Sequence, residues 1–450
     1  RVLGKEGSPE DVCSGALLDI DVALPYLNWW RIVYVDNRYT QLRNLLNNAL
    51  KEIIERVNML DWERADAEDV FRTLYEFLID PDTRRKIGEY YTPLWLVEFI
   101  LSHFKLRGKI VLDPFCGSGT FLVLAFHRKI DEGEDPDKAL GSVVGFDVNP
   151  LAVAIARSEL VLAYIKRARR PPSSPPRIYH TDTLARWFPS KKSTGVRLSG
   201  VEMLENIISG HIAYLVNFSG KDLGNPYEIL DALGKIENAF SYSTALAHRK
   251  CGLDKQCLIN EIKNNTMSML SKIQHSLTQA FRNVLDKLAQ VLAEMIIGSG
   301  GNRVWGAVLM SVAVPWLIHR FRPHIIVTNP PWIPLTEYNA PYAQALRDYL
   351  KAIFDKIAKG HSTAILNGSD VATAALAKSL EMVDEGVGFV MNREQLFYHR
   401  SPTVAGVFAS YCVIMDKCRC CSIDLVDIDF DAFQHGIYPA IILAKKRCVE

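Results

Sequence analysis

The sequence predicts an α/β protein built on an open, mostly parallel sheet, and two observations carry this prediction. Short apolar runs alternate with segments whose apolar residues recur three and four apart, over residues 110–181 and again after residue 325. Three of the short runs also end in, or are followed by, an aspartate. Strands that alternate with helices imply a parallel sheet with right-handed crossovers. The 450 residues exceed one ordinary domain, so further units are expected around this sheet.

The N-terminal part of the chain predicts a layer of helices, which we place at residues 1–83. Within it, from residue 28 to residue 79, apolar side chains recur at helical spacing and would share one face of each helix. The positions that carry this pattern are Leu42, Leu45, Leu46, Leu50, Ile53, Ile54, Val70, Leu74, Phe77 and Leu78.

The sheet is predicted in two parts that are separated by a long helical insertion. Residues 184–320 show almost no strand pattern, and more than a hundred residues of helix exceed an ordinary connection between strands. A long helical pattern runs through residues 254–297 of this insertion. The first part of the sheet, residues 84–183, is predicted to contain strands 110–113, 143–147 and 177–181 with helices 120–129 and 152–166.

The alternation resumes in residues 321–450, which form the second part of the predicted sheet. The last two strands have no long helix between them, so we expect them to pair antiparallel. The predicted elements are strands 325–328 and 387–391, helix 371–385, and the closing strands 423–427 and 440–444.

A glycine-rich turn joins the first predicted strand to its helix. The strand ends in Asp113, and Gly117-Ser118-Gly119-Thr120 follows before the helix begins. Glycines let a backbone approach a ligand closely, and a helix N-terminus favours negative charge. The turn lacks the spacing of the dinucleotide-binding fingerprint and the lysine of a phosphate loop, which argues against an NAD or ATP site.

Aspartates at three successive strand ends predict a nucleoside pocket. Asp147, at the end of the second strand, can accept hydrogen bonds from ribose hydroxyls. Asp182, after the third strand, can accept from an adenine amino group. One such aspartate is often only a helix cap, but a series with Asp113 along one sheet edge favours a pocket.

The run Asn329-Pro330-Pro331-Trp332 predicts a socket for an amino group on an aromatic heterocycle. It follows a buried strand, and its prolines make it stiff. The Asn329 side-chain oxygen and the Pro330 carbonyl are acceptors suited to an NH2 group, and Trp332 offers a ring for stacking. Alone, this run is equally consistent with a rigid strand-to-loop turn.

A third element, Tyr91-Thr92-Pro93, precedes a helical pattern. Thr92 is expected to cap this helix, with Pro93 at its first position. Taken alone, these residues are well explained as a helix start.

Composition limits the classes of function and the location. The formal charge of +1 excludes a global polyanion-binding signature, so nucleic-acid contact would need a local patch such as residues 166–170. No apolar run reaches the ~20 residues of a membrane span. The nine cysteines lack disulfide-framework or paired zinc-ligand spacing, which predicts a reducing cytoplasm and no metal site.

Together, in this order, the three elements resemble those of gamma-type DNA amino-methyltransferases of restriction-modification and related phage-defence systems. In that family a YTP element precedes a DPxxGSGxF element, which binds S-adenosylmethionine, and an NPPY/F/W element follows. Here the second of these reads Asp113-Pro114-Phe115-Cys116-Gly117-Ser118-Gly119-Thr120-Phe121. The resemblance covers about residues 84–182 and 321–446, and it implies a Rossmann-like S-adenosylmethionine-dependent methyltransferase sheet.

The resemblance also implies the roles of individual residues. The base would be flipped out of the duplex and would stack on the tryptophan. Target-base residues are Asn329, Pro330, Pro331 and Trp332; donor-site residues are Tyr91, Thr92, Pro93, Asp113, Phe115, Gly117, Ser118, Gly119, Thr120, Phe121, Asp147 and Asp182.

The implied function is transfer of a methyl group from S-adenosylmethionine to the N6 amine of adenine in double-stranded DNA. Adenine is favoured over cytosine because Asn329 opens the tetrapeptide, although Trp332 stands where tyrosine or phenylalanine is commoner. The family reads its DNA sequence after the last sheet strand, so we expect a separate recognition subunit or a recognition domain missing from this sequence. The alternatives are an RNA guanine-N2 methyltransferase and an inactive DNA-binding scaffold of the same fold.

Overall fold

A computed structural model gives the fold. It describes residues 39–59, 92–172, 174–188, 204, 206–207, 226–299, 305–357, 360, 362–393, 421–428 and 438–446.

The core is a seven-stranded sheet in the order β3-β2-β1-β4-β5-β7-β6. Strands β1 to β5 run parallel, whereas β7 lies antiparallel between β5 and β6. The predicted fold class and the predicted antiparallel closing pair are therefore confirmed. The strands are β1 Val111–Asp113, β2 Val143–Asp147, β3 Arg177–His180, β4 Ile325–Thr328, β5 Gly386–Asn392, β6 Cys421–Asp427 and β7 Pro439–Lys446.

Helices lie before, between and beside these strands. They are α1 Thr40–Asn58, α2 Leu94–Ser102, α3 Thr120–Asp131, α4 Pro136–Gly141, α5 Pro150–Ala168, α6 Thr183–Trp187, α7 Pro226–Cys251, α8 Lys255–Leu270, α9 Ser276–Asn283, α10 Leu285–Gly298, α11 Trp305–Phe321, α12 Ala343–Ile357, α13 Ser362–Asn367 and α14 Val371–Met382.

Two glycines in the sheet allow helices to pack closely on it. A Cβ at Gly145 of β2 would lie 2.5 Å from a methyl of Leu122 in α3. A Cβ at Gly388 of β5 would lie 2.4 Å from a methyl of Ile100 in α2. Neither helix could lie so near its strand if these positions carried side chains. Both α2 and α3 are thereby held close to the sheet.

The long helical pattern of residues 254–297 forms three helices rather than one. The structure divides it into α8, α9 and α10. Asp254 caps α8, and His275 caps α9 by accepting from the amide of Leu277 at 3.1 Å. The sequence does not show the two breaks between these helices, because the apolar residues of all three helices recur at helical spacing.

The helices between β3 and β4 are joined to the sheet by buried ions. Arg157 of α5 donates to Glu237 of α7 at 3.3 Å, and both side chains are almost fully buried. Arg177 of β3 donates to the carbonyl of Leu230 in the same helix. The predicted insertion therefore shares polar core contacts with β3, and its boundaries at residues 184–320 stay a prediction.

Three further findings relate to what the sequence predicted. A disulfide joins Cys251 at the end of α7 to Cys257 in α8, a bond that the cysteine spacing did not predict. In the described part of the chain, every helix is too short or too polar to cross a membrane. Of the predicted N-terminal layer, the structure describes α1; residues 60–91, including Tyr91, lie outside the described residues.

Candidate methyl-donor and target-base site

The predicted site residues meet at the carboxyl edge of the sheet. Asp113 ends β1, Asp147 ends β2, and Thr328 ends β4, next to Asn329. The strand order reverses between β1 and β4, because β2 and β3 lie to one side and β5 to the other. Open α/β sheets bind ligands at such a switch point, outside the carboxyl ends of the strands.

The glycine-rich turn between β1 and α3 is held by three neighbouring strand ends. From the β4 side, Thr328 donates its hydroxyl to Asp113 Oδ1 at 2.6 Å. From the β3 side, Thr183 donates to the Pro114 carbonyl at 2.7 Å. From the β2 side, Asp147 Oδ2 accepts from the turn's own backbone, the Gly117 amide, at 2.8 Å. A turn held in this way is preorganised for a ligand.

Asp113 is buried beneath this turn, and burial raises the pKa of its carboxyl from 3.8 to about 7. Its Oδ1 accepts both from Thr328 and from the amide of Phe115, at 2.6 and 3.1 Å, which partly offsets the rise in pKa. Asp113 therefore connects the glycine-rich turn to β4, the strand that ends at Thr328, and its contribution to stability depends on pH.

We expect Asp113→Asn to remove a pH dependence of stability. The folded state binds this proton more tightly than the unfolded chain, so the free energy of unfolding should fall as pH rises from about 4 to about 7 and level off above. Asparagine keeps the acceptor oxygen but does not ionise. Between pH 5 and pH 8, urea denaturation should show the free energy of unfolding of the variant rising by about 3 kcal/mol relative to that of the wild type. Parallel pH profiles for the two proteins would contradict this assignment.

The two glycines of the turn have different roles. Gly119 has φ 94°, and a Cβ there would lie 2.8 Å from the Cβ of Ala156, so it permits close packing of α3 on α5. Gly117 has φ 53°, and a Cβ there would meet nothing within 4 Å. Its backbone thus borders open space, which is the room that a ligand approaching the turn requires.

Asp147 keeps acceptor capacity although both of its oxygens are engaged. Oδ2 accepts from Gly117, and Oδ1 accepts from the amide of Asn149 at 2.7 Å. A carboxylate has about four lone-pair sites, so hydroxyl donors can still bind. The carboxylate is half-buried, at the end of a strand. These features fit the predicted role in holding a ribose.

Asp182 has a partner that the sequence analysis missed. Its Oδ1 accepts from the Ala185 amide at 3.0 Å, so the residue caps α6. Its Oδ2 accepts from the hydroxyl of Tyr342 at 2.7 Å. Burial, followed by the charge of Asp182, raises the pKa of Tyr342, which keeps the hydroxyl protonated as a donor. The two partners are 160 positions apart in the sequence, and no periodic pattern links them.

Thr92 does not cap α2, so that prediction is wrong. The helix begins after Pro93, and no side chain caps it. Instead the buried Thr92 hydroxyl accepts from Asn329 Nδ2 at 3.1 Å. This bond turns the other end of the amide, Oδ1, away from Thr92. The YTP element and the run that begins at Asn329 therefore meet next to the end of β4.

The remaining predicted site residues differ in how far they are buried. Trp332 is 9% exposed, and its indole nitrogen donates to the carbonyl of Val390 in β5 at 3.4 Å. Phe121 is buried in the hydrophobic core, and the half-buried Phe115 meets Trp187 edge-on with ring centroids 6.0 Å apart. Pro330 and Ser118 are buried, whereas Pro93, Thr120 and Pro331 are half-buried. The roles assigned to these residues stay predictions.

Comparison with known proteins finds a family model that matches part of this chain. Residues 66–196 match the family model described as N-6 DNA Methylase. This part of the chain is therefore similar to members of the N-6 DNA methylase family. The matched segment includes the YTP element, the glycine-rich turn, Asp147 and Asp182, and it ends before the run that begins at Asn329.

Curated proteins that are similar to this chain are named as methylases or methyltransferases. The MjaIX type I restriction enzyme methylase subunit of Methanocaldococcus jannaschii is 32% identical over 98 residues, 21% of this chain and 17% of that protein. The EcoEI type I methylase subunit of Escherichia coli is 25% identical over 158 residues, 33% and 31% of the two chains. The adenine-specific methyltransferase PglX of Streptomyces coelicolor is 37% identical over 108 residues, 20% of this chain and 9% of PglX. This chain thus spans less than a third of each relative.

The residues present fit S-adenosylmethionine, the methyl donor of this family. Gly117 borders open space, Asp147 can accept from hydroxyls, and Asp182 lies at the next strand end. Among the residues that the structure describes, no group of three or more histidine, cysteine, aspartate or glutamate side chains is placed to hold a metal ion. The side chains gathered at this edge can bind a nucleoside and orient an amine beside it.

Proposed function

We propose that this chain methylates the exocyclic N6 amine of a flipped adenine in double-stranded DNA, with S-adenosylmethionine as donor. The observation that carries the proposal is the hydrogen bond from Asn329 to Thr92, which orients an amide at the strand end next to the donor-binding turn. The names of the curated relatives support it, because all three are methylases and one is called adenine-specific.

The donor is assigned to the pocket between the glycine-rich turn and the ends of β2 and β3. The Gly117 backbone would border it, Asp147 would accept from the ribose hydroxyls, and Asp182 would accept from the adenine amine. The hydrogen bonds that hold the turn to β2, β3 and β4 keep this pocket in shape before binding. When bound, S-adenosylmethionine supplies an electrophilic methyl group on a sulfonium.

The target amine needs help because its lone pair is delocalised into the base. The Asn329 oxygen and the Pro330 carbonyl would accept hydrogen bonds from the two N–H groups of that amine. Such bonds favour a tetrahedral nitrogen and localise its lone pair, which makes the nitrogen a better nucleophile. Trp332 would stack on the flipped base, and the proton lost from nitrogen passes to water. The catalysis consists of positioning and electrostatics.

We assign the chain to a restriction-modification or phage-defence system as its modification component, with sequence recognition supplied by another subunit or domain. The basic run at residues 166–170 gives little support to a DNA contact. Arg167 pairs with Asp131 and Arg170 pairs with Asp137, which neutralises part of its charge. DNA affinity is therefore expected to depend on surfaces outside this run.

The proposal is tested by nucleoside mass spectrometry after incubation of DNA or RNA with isotope-labelled S-adenosylmethionine and this chain. Labelled N6-methyladenine in DNA is the expected result. Labelled N4-methylcytosine would change only the assigned base, whereas label found solely in RNA guanine would replace the proposal with the RNA methyltransferase. Donor binding with no transfer, even after a recognition subunit is added, would favour the inactive scaffold.

A further inference from the structure

A short series of hydrogen bonds leads from the acid after β3 into the loop that follows Trp332. Tyr342 donates to Asp182 Oδ2 at 2.7 Å, and the hydroxyls of Tyr342 and Tyr338 lie 2.6 Å apart. The other oxygen, Oδ1, accepts from the Ala185 amide at 3.0 Å. With one partner on each oxygen, the plane of the Asp182 carboxylate is fixed.

The segment that carries Tyr342, residues 333–342, is itself held in place near its start. The amide of Leu335 donates to the Ser369 carbonyl at 3.0 Å, and the amide of Val371 donates to the Ile333 carbonyl at 2.9 Å. Both bonds attach the segment to the start of α14, which lies at the same edge of the sheet as Asn329. The segment is therefore anchored on the target-base side of the site.

The end of the segment is anchored as well. Arg347 of α12 donates to the carbonyl of Tyr338 at 3.0 Å and to that of Leu335. Tyr342 immediately precedes α12 and is 8% exposed. A hydroxyl on a backbone that is held at both ends is suited to fix its partner rather than to swing away from it.

We propose that Tyr342 is a positioning residue for the methyl donor, because its hydroxyl holds the Asp182 carboxylate in the orientation that accepts the donor's adenine amine. The inference rests on the proposed function, which assigns the donor's adenine to Asp182. The remaining lone pairs of the carboxylate allow Asp182 to accept this amine without losing Tyr342 or Ala185. The segment begins next to Trp332 and ends at Tyr342, so it also connects the proposed base site to the proposed donor site.

The test is a calorimetric titration of the full chain with S-adenosylhomocysteine. Tyr342→Phe keeps the ring and loses the hydroxyl, and we expect its dissociation constant to rise about five- to tenfold. The matched control is Tyr349→Phe, since Tyr349 on α12 also donates to a carboxylate, that of Glu381, at 2.8 Å, and Glu381 has no predicted part in the donor site. The control should bind the ligand as the wild type does.

A second ligand separates positioning from a general loss of structure. S-inosylhomocysteine carries a carbonyl in place of the adenine amine, so it gains nothing from a correctly oriented Asp182. Wild type and Tyr342→Phe should therefore bind it equally. Tyr338→Phe leaves the bond between Tyr342 and Asp182 intact and should give a smaller loss for S-adenosylhomocysteine alone, which tests the proposal through a second variant.

Three results would overturn the inference. Unchanged or tighter binding of S-adenosylhomocysteine by Tyr342→Phe would show that the hydroxyl is irrelevant or competes with the adenine. An equal loss for both ligands would indicate a purely structural role. In each of these cases the wild type still binds S-adenosylhomocysteine, and the proposed function stands. Failure of the wild type itself to bind this ligand would overturn the donor assignment and the inference together.

Discussion

Asn329→Ala is expected to lower the rate of methyl transfer by about 10²- to 10³-fold, the loss typical when one preorganised hydrogen-bonding group is removed from a transition state. The affinity for S-adenosylhomocysteine should not change, because Asn329 faces the target amine in the proposed site. Single-turnover transfer of labelled methyl to DNA measures the rate, and calorimetry measures the affinity. A separation of the two effects would assign Asn329 to chemistry rather than to donor binding.

Thr92 provides a graded version of the same experiment. Thr92→Val removes the acceptor that holds Asn329 Nδ2 while keeping the shape of the side chain, so the rate should fall about tenfold, the value of one hydrogen bond. Thr92→Ser keeps the hydroxyl and should restore most of the rate. The matched control for Asn329→Ala is Asn367→Ala, which changes an exposed asparagine in α13 and should leave the rate unchanged. A wild-type rate in Asn329→Ala would remove the basis of the proposed mechanism.

The sheet could be predicted from the sequence because its signals are local. The bounds predicted for β4, Ile325–Thr328, agree with the structure, since a buried strand of a parallel sheet is a continuous apolar run. The glycine-rich turn was also recognisable, because its residues are contiguous and a left-handed backbone such as that of Gly119 favours glycine. Local patterns of this kind also predicted that the aspartates would lie at strand ends.

The contacts that organise the site could not be predicted because they join distant parts of the chain. The bond between Asn329 and Thr92 spans 237 residues, and the sequence around Thr92 was well explained by a helix cap. Tyr342 follows the run that begins at Asn329 in a loop without periodicity, so nothing marked it as a partner of Asp182. Hydrogen bonds between side chains depend on how the strands are ordered in the sheet, and only the folded chain brings these pairs together.

The helices between β3 and β4 are joined to α5 and β3 through buried charged side chains. Glu237 of α7 is 5% exposed and accepts from Arg157, which is 2% exposed. Burial raises the pKa of Glu237, whereas the charges of Arg157 and then Arg177 lower it. Arg177 begins β3, the strand that leads to Asp182. The pairing therefore affects the strand that carries part of the proposed donor site.

Glu237→Ala is expected to lower the free energy of unfolding by about 3–5 kcal/mol, because the arginines it faces would stay buried without their carboxylate partner. Urea denaturation measures the loss, and Glu294→Ala is the matched control. Glu294 pairs with Lys255 at 2.8 Å, but both side chains are about half exposed, so its removal should cost at most about 1 kcal/mol.

The shape of the urea unfolding transition of Glu237→Ala tests whether α7 and the sheet unfold together. If α7 and the sheet unfold as one unit, the variant should keep a single, less stable transition, and donor affinity should fall only where the fold is lost. A separate early transition would mean that the helices between β3 and β4 unfold independently as an appended domain. A loss no larger than that of Glu294→Ala would show that water or rearrangement already satisfies the buried arginines, and the pair could not then anchor β3.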